Sequence, residues 1–94
     1  MLDAGATRAV SERGASILPV GVVDVDGDFQ RGEAIQLRDM NGRILGRGLA
    51  AYAANEIRKI KGRKSSEIQE VLGYRYLDVV IHRDDLILGE DGQG

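Results

Sequence analysis

Between Arg43 and Lys64 the chain carries seven cations, Arg43, Arg47, Arg58, Lys59, Lys61, Arg63 and Lys64, against the single acid Glu56. The other residues hold six basic and fourteen acidic side chains, so a net charge of −2 conceals a basic segment in an acidic chain. Clustered Lys and Arg neutralise phosphates and release counterions, which makes the segment a candidate anion or nucleic-acid footprint. A solvated charged face is the plainer account of the same pattern. Arg63 and Lys64 also stand just ahead of an expected helix start, where backbone N–H groups and the helix dipole favour an anion.

Other chemical motifs fail on inspection. Asp24-Val25-Asp26-Gly27-Asp28 opens like a calcium loop, but Phe29 stands where the sharp turn needs Gly and Ile35 where a bidentate Glu belongs. An acidic turn is the better reading. His82-Arg83-Asp84 repeats a fragment of a kinase catalytic loop without the metal-binding Asn that must follow, and reads instead as a strand end followed by a turn. His82 is the only histidine and there is no Cys, which argues against a Ser-His-Asp triad and excludes a thiol nucleophile or a Cys-ligated metal. No phosphate-loop signature occurs. A chain of 94 residues holds one modest core rather than a deep substrate cavity beside a cofactor fold, so no catalytic, cofactor-binding or metal residue is expected. No apolar run reaches the ~18–20 residues of a membrane span, and the N-terminus lacks the features of a signal peptide, which together predict a soluble, cytoplasmic protein without membrane contact.

The elements that must position these residues are short. Asp3 caps a first helix that Gly14 stops, with Ala6, Ala9 and Val10 as a stripe of small residues suited to packing on a sheet. Ile17 to Val25 is apolar and β-branched and predicts a strand, bent near Pro19 and Gly21. Glu33 to Asp39 alternates, with Ile35 and Leu37 on one face and Gln36 and Arg38 on the other. Asn41-Gly42 then predicts a type I′ hairpin turn into a partner strand from Arg43 to about Tyr52, whose Gly46 and Gly48 permit sharp coiling. Asn55 to Lys61 reads as a helix capped by Asn55, with Ile57 and Ile60 inward and Gly62 as its stop. Ser66-Glu67-Ile68-Gln69 has capping-box spacing before Ile68, Val71 and Leu72. A last β-branched run, Val79 to Ile81, leads through His82 to Asp85 into Leu86-Ile87-Leu88. Residues 89–94 have nothing to bury and are expected to be disordered. The pattern predicts a mixed α/β, mainly β, small pseudo-barrel with short flanking helices.

The run Gly14-Ala15-Ser16-Ile17-Leu18-Pro19-Val20-Gly21-Val22, then Gly27 to Glu33, then Gly42-Arg43-Ile44-Leu45-Gly46-Arg47-Gly48-Leu49, resembles a PUA domain. The later segments Tyr52 to Ile57, Ile60 to Arg63, Ser66 to Ile68, Leu72 to Tyr74 and Val80 to Leu86 are similar to the C-terminal PUA domain of bacterial glutamate 5-kinases. The resemblance runs from about Leu2 to Leu88. It implies one PUA domain over residues 1–94, ordered over about 2–88, cut from a longer kinase chain with Met1 at an artificial start. It also implies an amino-acid-kinase domain as partner in the same chain, a homo-oligomeric parent, and ATP and magnesium bound by that parent rather than here. The parent reaction it implies is phosphorylation of the glutamate γ-carboxylate by ATP, the entry to proline synthesis.

In RNA-modifying PUA proteins the first helix and the loop after it grip RNA, and the resemblance carries that loop onto Arg13-Gly14-Ala15-Ser16. The candidate residues for RNA or another anion are therefore Arg13, Gly14, Arg47, Lys61, Arg63 and Lys64. Tyr74 and Tyr76 are available for base stacking, whereas Phe29 and Tyr52 are expected in the core. A regulatory and structural module of the kinase, without catalytic residues, is the leading expectation, and a module for structured RNA is its rival. An appendage of an RNA-modifying enzyme or an unrelated barrel would be the third account.

Overall fold

A computed structural model describes residues 1–89. It contains helices α1 (Ala4–Arg13), α2 (Ala54–Ile60) and α3 (Ile68–Leu72) and strands β1 (Ala34–Arg38), β2 (Ile44–Leu49) and β3 (Leu86–Leu88). The strands form one antiparallel sheet in the order β1-β2-β3. Short helices around a small antiparallel sheet give the mixed α/β pseudo-barrel that the sequence pattern predicts. Among the described residues regular strand is confined to these three segments, and isolated backbone bridges extend the pairing beyond them. Leu2 pairs with Val22, and Ile17 with Ile81. Val80 donates to Ile17 O at 2.7 Å and accepts from Ala51 N at 2.8 Å, so the chain after β2 is stitched to both.

Residues 17–25 are the main departure from the expected strand. Pro19–Gly21 is a 3₁₀ turn instead, closed by Gly21 N–H on Leu18 O at 3.1 Å. Pro19 has no N–H to give a ladder, and its carbonyl is taken by Gly62 N at 2.8 Å. Gly21 is held so close to α1 that a Cβ there would lie 2.5 Å from the Ala6 Cβ. Ala6 of the small-residue stripe therefore packs on this turn rather than on a sheet, while Val10 enters the core.

α1 begins and ends as its sequence dictates. Asp3 Oδ1 accepts from Ala6 N at 2.7 Å, and Gly14, with φ of 58°, closes the other end by donating to Val10 O. The β1–β2 turn is not type I′. Only Gly42 has positive φ, and Asn41 does not, because the Asp39 carboxylate accepts from both Asn41 N and Arg43 N at 2.9 Å and holds a three-residue loop followed by a bulge. Gly46 and Gly48 of β2 are required by close approach: a Cβ at Gly46 would meet Ile87 O at 2.3 Å, and one at Gly48 would meet Ile81 Cγ2 at 2.7 Å.

α2 starts one residue before the expected helix, at Ala54, and its cap is Ala53 rather than Asn55. Ala53 N donates to Glu56 Oε1 at 3.0 Å. Ile57 and Ile60 are fully buried as expected. The capping arrangement before α3 falls two residues earlier than its Ser66 reading, with Glu67 accepting from Lys64 N at 3.0 Å through a 3₁₀ turn at Ser65–Glu67. One continuous core joins Leu2, Val10, Ile17, Leu37, Tyr52, Ile57, Ile60, Ile68 and Ile81. Phe29 packs at its edge. Gly89, expected in the disordered tail, donates to Leu45 O at 3.0 Å and extends the β2–β3 ladder, while the rest of that tail lies outside the described residues.

Candidate functional site

The six candidate residues fall on three places. Arg13 ends α1, exposed, with Gly14 as its cap. The loop that follows is anchored by Ser16 Oγ, which accepts from Arg83 N at 2.8 Å, so Arg13 and Gly14 belong with the His82–Asp85 turn. His82 Nδ1 accepts from Asp84 N at 3.1 Å in a 3₁₀ turn at Arg83–Asp85, but the strand expected over Val79 to Ile81 is reduced to the single bridge of Ile81 to Ile17, so the turn leads into β3 rather than closing a strand. Lys61, Arg63 and Lys64 follow one another around the end of α2, tied to Pro19 through Gly62. The segment 14–19 thus runs between these two groups. Arg47 stands apart on the outer sheet face, between Gln36 of β1 and Ile87 of β3.

Three of the seven cations of the basic segment, Arg58, Lys61 and Arg63, are engaged within the molecule. Arg58 donates from Nε to Val25 O at 3.3 Å and from Nη2 to Gly27 O, cross-linking α2 to the acidic turn. Lys61 Nζ lies 3.5 Å from Asp24 Oδ1, and the Val25 N–H together with this ammonium holds the Asp24 carboxyl below its ordinary value. Arg63 pairs with Glu67 at 3.5 Å. Glu67 also occupies the backbone N–H of Lys64, so the anion that the helix start attracts is the protein's own carboxylate. Arg13, Arg47 and Lys64 make no ion pair among the described residues.

A second polar assembly, which charge patterning missed, surrounds Tyr52. Its buried hydroxyl accepts from Tyr76 N at 2.8 Å and Leu77 N at 3.0 Å and donates to Leu77 O at 2.5 Å. This fixes the segment after α3, leaving Tyr74 and Tyr76 exposed. Tyr74 donates to Glu56 Oε2, which pushes its pKa up to about 12. The Arg31 guanidinium lies 4.3 Å above the Tyr76 ring. A lone Tyr ahead of a helix gives no sequence signal for such a role, since the groups it ties lie some 25 positions away.

Among the described residues no three His, Asp or Glu side chains gather as a metal site, and no helix is long and apolar enough to cross a membrane. An apolar cavity of about 350 Å³ opens beside β1, lined among others by Leu2, Val22, Ile35, Leu37 and Ile81, with Asp24 and Asp26 at its rim.

The chain is 57% identical over 91 residues to the glutamate 5-kinase of Thermus thermophilus, a match covering 97% of this chain and 25% of the relative. It is 53% identical over 87 residues to that of a Synechococcus species, covering 93% of this chain and 24% of the relative. It is 49% identical over 88 residues to that of Deinococcus radiodurans, covering 94% and 24%. The chain therefore spans about a quarter of the length of the curated relatives it matches. The PUA domain model matches residues 1–72, which take in α1, the Pro19 turn, the β1–β2 hairpin, α2 and α3. On that match the chain belongs to the PUA domain family.

Proposed function

We propose that this chain is the C-terminal PUA module of a glutamate 5-kinase, and that it regulates or braces the amino-acid-kinase domain of the same chain without contributing catalytic residues. The observation that carries this reading is the similarity over nearly the whole chain to proteins named glutamate 5-kinase, of which it makes up about a quarter. In the parent, ATP with magnesium phosphorylates L-glutamate. A γ-carboxylate oxygen attacks the γ-phosphorus, the bond to ADP breaks, and L-glutamyl 5-phosphate forms. That chemistry belongs to the kinase domain of a homo-oligomeric, cytoplasmic parent.

The use of Arg58 and Lys61 supports a role as a rigid module, because both tie α2 to the acidic turn at Asp24 to Gly27. The test is removal of the module from the parent kinase, followed by measurement of turnover, KM for glutamate and oligomeric state. A change in assembly or in KM with the reaction retained is expected, whereas a parent indistinguishable in all three would overturn the reading.

Binding to structured RNA is the second reading. Exposed Arg13, Arg47 and Lys64, without ion pairs among the described residues, together with exposed Tyr74 and Tyr76, favour it. Fluorescence anisotropy against a folded RNA and an unstructured control, at low and near-physiological salt, tests it. Saturable, salt-sensitive preference for the folded RNA supports it, and no binding at low salt removes it.

A further inference from the structure

The segment around Arg31 is fixed to the stretch between β2 and α2. Gly32 N donates to Ala50 O at 2.8 Å, Ala50 N to Glu33 O at 2.9 Å, and Ala54 N to Phe29 O at 3.0 Å. The same stretch carries Tyr52, whose hydroxyl takes the amides of Tyr76 and Leu77 at 2.8 and 3.0 Å. Residues 50–54 therefore hold both partners of the Arg31–Tyr76 contact, in which the guanidinium stands 4.3 Å from the ring centroid. A cation and an exposed ring from separate loops are thus kept in place before anything binds, which lowers the ordering cost of an interface.

Tyr76 is 53% exposed and Tyr74 41%. Tyr74 packs on Tyr52 with ring centroids 6.0 Å apart, so its ring too is held. Arg31 forms no ion pair among the described residues. Two acids in this neighbourhood are already committed: Glu56 accepts from Ala53 N and the Tyr74 hydroxyl, and Glu33 from Gln30 N. Arg75, between the two tyrosines, is paired with Asp78 at 3.3 Å. The patch therefore offers one uncommitted guanidinium on an aromatic floor, rimmed by carboxylates. Tyr and Arg are the residue types that dominate interface energetics, and a guanidinium with open N–H groups matches a carboxylate through two parallel hydrogen bonds.

The rim decides between acidic partners. A phosphate backbone needs several cations and is repelled by the surrounding acids, whereas a single carboxylate on a protein surface needs only Arg31. A free small acid would need a concave site, and the cavity beside β1 does not reach Arg31 or Tyr76.

We propose that Arg31, Tyr76 and Tyr74 form a docking surface for the amino-acid-kinase domain of the same parent chain, with an acidic side chain of that domain bound by Arg31 and its apolar surroundings covering the two rings. The proposal rests on the reading of this chain as a module of a longer kinase. Most of each relative's length lies outside the match, and a domain tethered in cis stands at high effective concentration, so a small contact of this kind suffices.

The test is hydroxyl-radical footprinting of Tyr76, read by mass spectrometry, in the 94-residue chain and in the parent kinase. Oxidation in the parent should be slower by about fivefold or more, as for a ring from which water is excluded. With Arg31→Met, and with Arg31→Lys, which keeps the charge but loses the fork, the difference should shrink to about twofold or less. Each variant is compared with its own 94-residue chain, because loss of the guanidinium uncovers the ring by itself. The Leu77 amide, held by Tyr52, reports by its exchange that each variant is folded. Equal oxidation in both chains, or protection that survives Arg31→Met, overturns the proposal. So does protection in the 94-residue chain alone, whether it rises with concentration, which would assign the patch to a second copy, or follows addition of a folded RNA. Should Tyr76 stay open while removal of the module alters KM or assembly, the docking face falls and the regulatory reading stands. Should removal change nothing, the regulatory reading falls whatever Tyr76 shows.

Discussion

Tyr52 and Leu77 are joined twice: the Leu77 N–H reaches the phenol oxygen at 3.0 Å while the phenol donates to the Leu77 carbonyl at 2.5 Å. The Tyr76 N–H shares the same oxygen. Tyr52→Phe keeps the buried ring but leaves these backbone groups unpaired, and should destabilise the fold by about 1–3 kcal/mol. Urea unfolding measures the loss, and faster exchange at the Tyr76 and Leu77 amides localises it. An unchanged midpoint would mean that the segment is anchored by other contacts.

Gly48→Ala and Gly14→Ala separate two demands on glycine. At Gly48 the new methyl meets Ile81 Cγ2 at 2.7 Å and Asp85 O at 2.9 Å, whereas at Gly14 nothing lies within 4 Å and only the positive φ resists. The expected loss at Gly14 is about 1–2 kcal/mol. The loss at Gly48 should be larger, because backbone must move. Thermal unfolding of the two variants side by side decides the order.

Alkaline titration isolates the Tyr74–Glu56 bond. The neutral phenol donates to the carboxylate, and its pKa is raised from 10.0 to about 12. A folded-state pKa above the unfolded one means that the stabilisation is complete below about pH 10 and is lost as pH rises toward 12. Tyr74→Phe should remove this stretch of pH dependence while leaving the neutral-pH fold intact. Since Tyr74 is 41% exposed, the energy involved is modest. Unfolding midpoints across this range, with and without the substitution, give the comparison.

At the acid end, Asp24 behaves oppositely. Its carboxyl is held low first by the Val25 N–H and then by Lys61, so its contribution is present above the usual value of 3.8 and is lost as pH falls through its lowered pKa. Lys61→Met should raise the Asp24 pKa only part of the way to that value, because the Val25 bond remains. A carboxyl-detected NMR titration that finds no movement would show that the ammonium does not act on Asp24.

Simultaneous Lys61→Gln, Arg63→Gln and Lys64→Gln substitution tests the rival RNA reading at its basic cluster. Should the chain bind folded RNA through these residues, the slope of log affinity against log salt falls by about one unit per lost phosphate contact. Unchanged binding after the triple substitution would remove the cluster from any interface.

Features governed by a few adjacent residues were legible in the sequence. Asp3 and Gly14 bound α1 as expected, Ile57 and Ile60 point inward, and Leu37 is buried while Gln36 and Arg38 are exposed. What escaped depends on distant groups. The run from Ile17 to Val25 has strand propensity, but the carbonyl of Pro19 is claimed by Gly62 and Gly21 is pressed against Ala6. Asn41-Gly42 favours a type I′ turn until the Asp39 side chain captures the same amides. The basic segment was visible as a cluster, yet the use of Arg58 was not, since its carbonyl partners lie 31 and 33 positions earlier.

The pairing of Ile17 with Ile81, and of Ser16 with Arg83 across 67 positions, also sets an order of events during synthesis. The β1–β2 hairpin needs only neighbouring residues and forms as soon as both strands are exposed. The loop after the first helix must wait for Ile81 and Arg83, far along the chain, because closing so long a loop is the costly step. Shortening the chain ahead of Ile81 would therefore leave Ile17 and Ser16 without their backbone partners and should make the loop after the first helix more open to proteolysis.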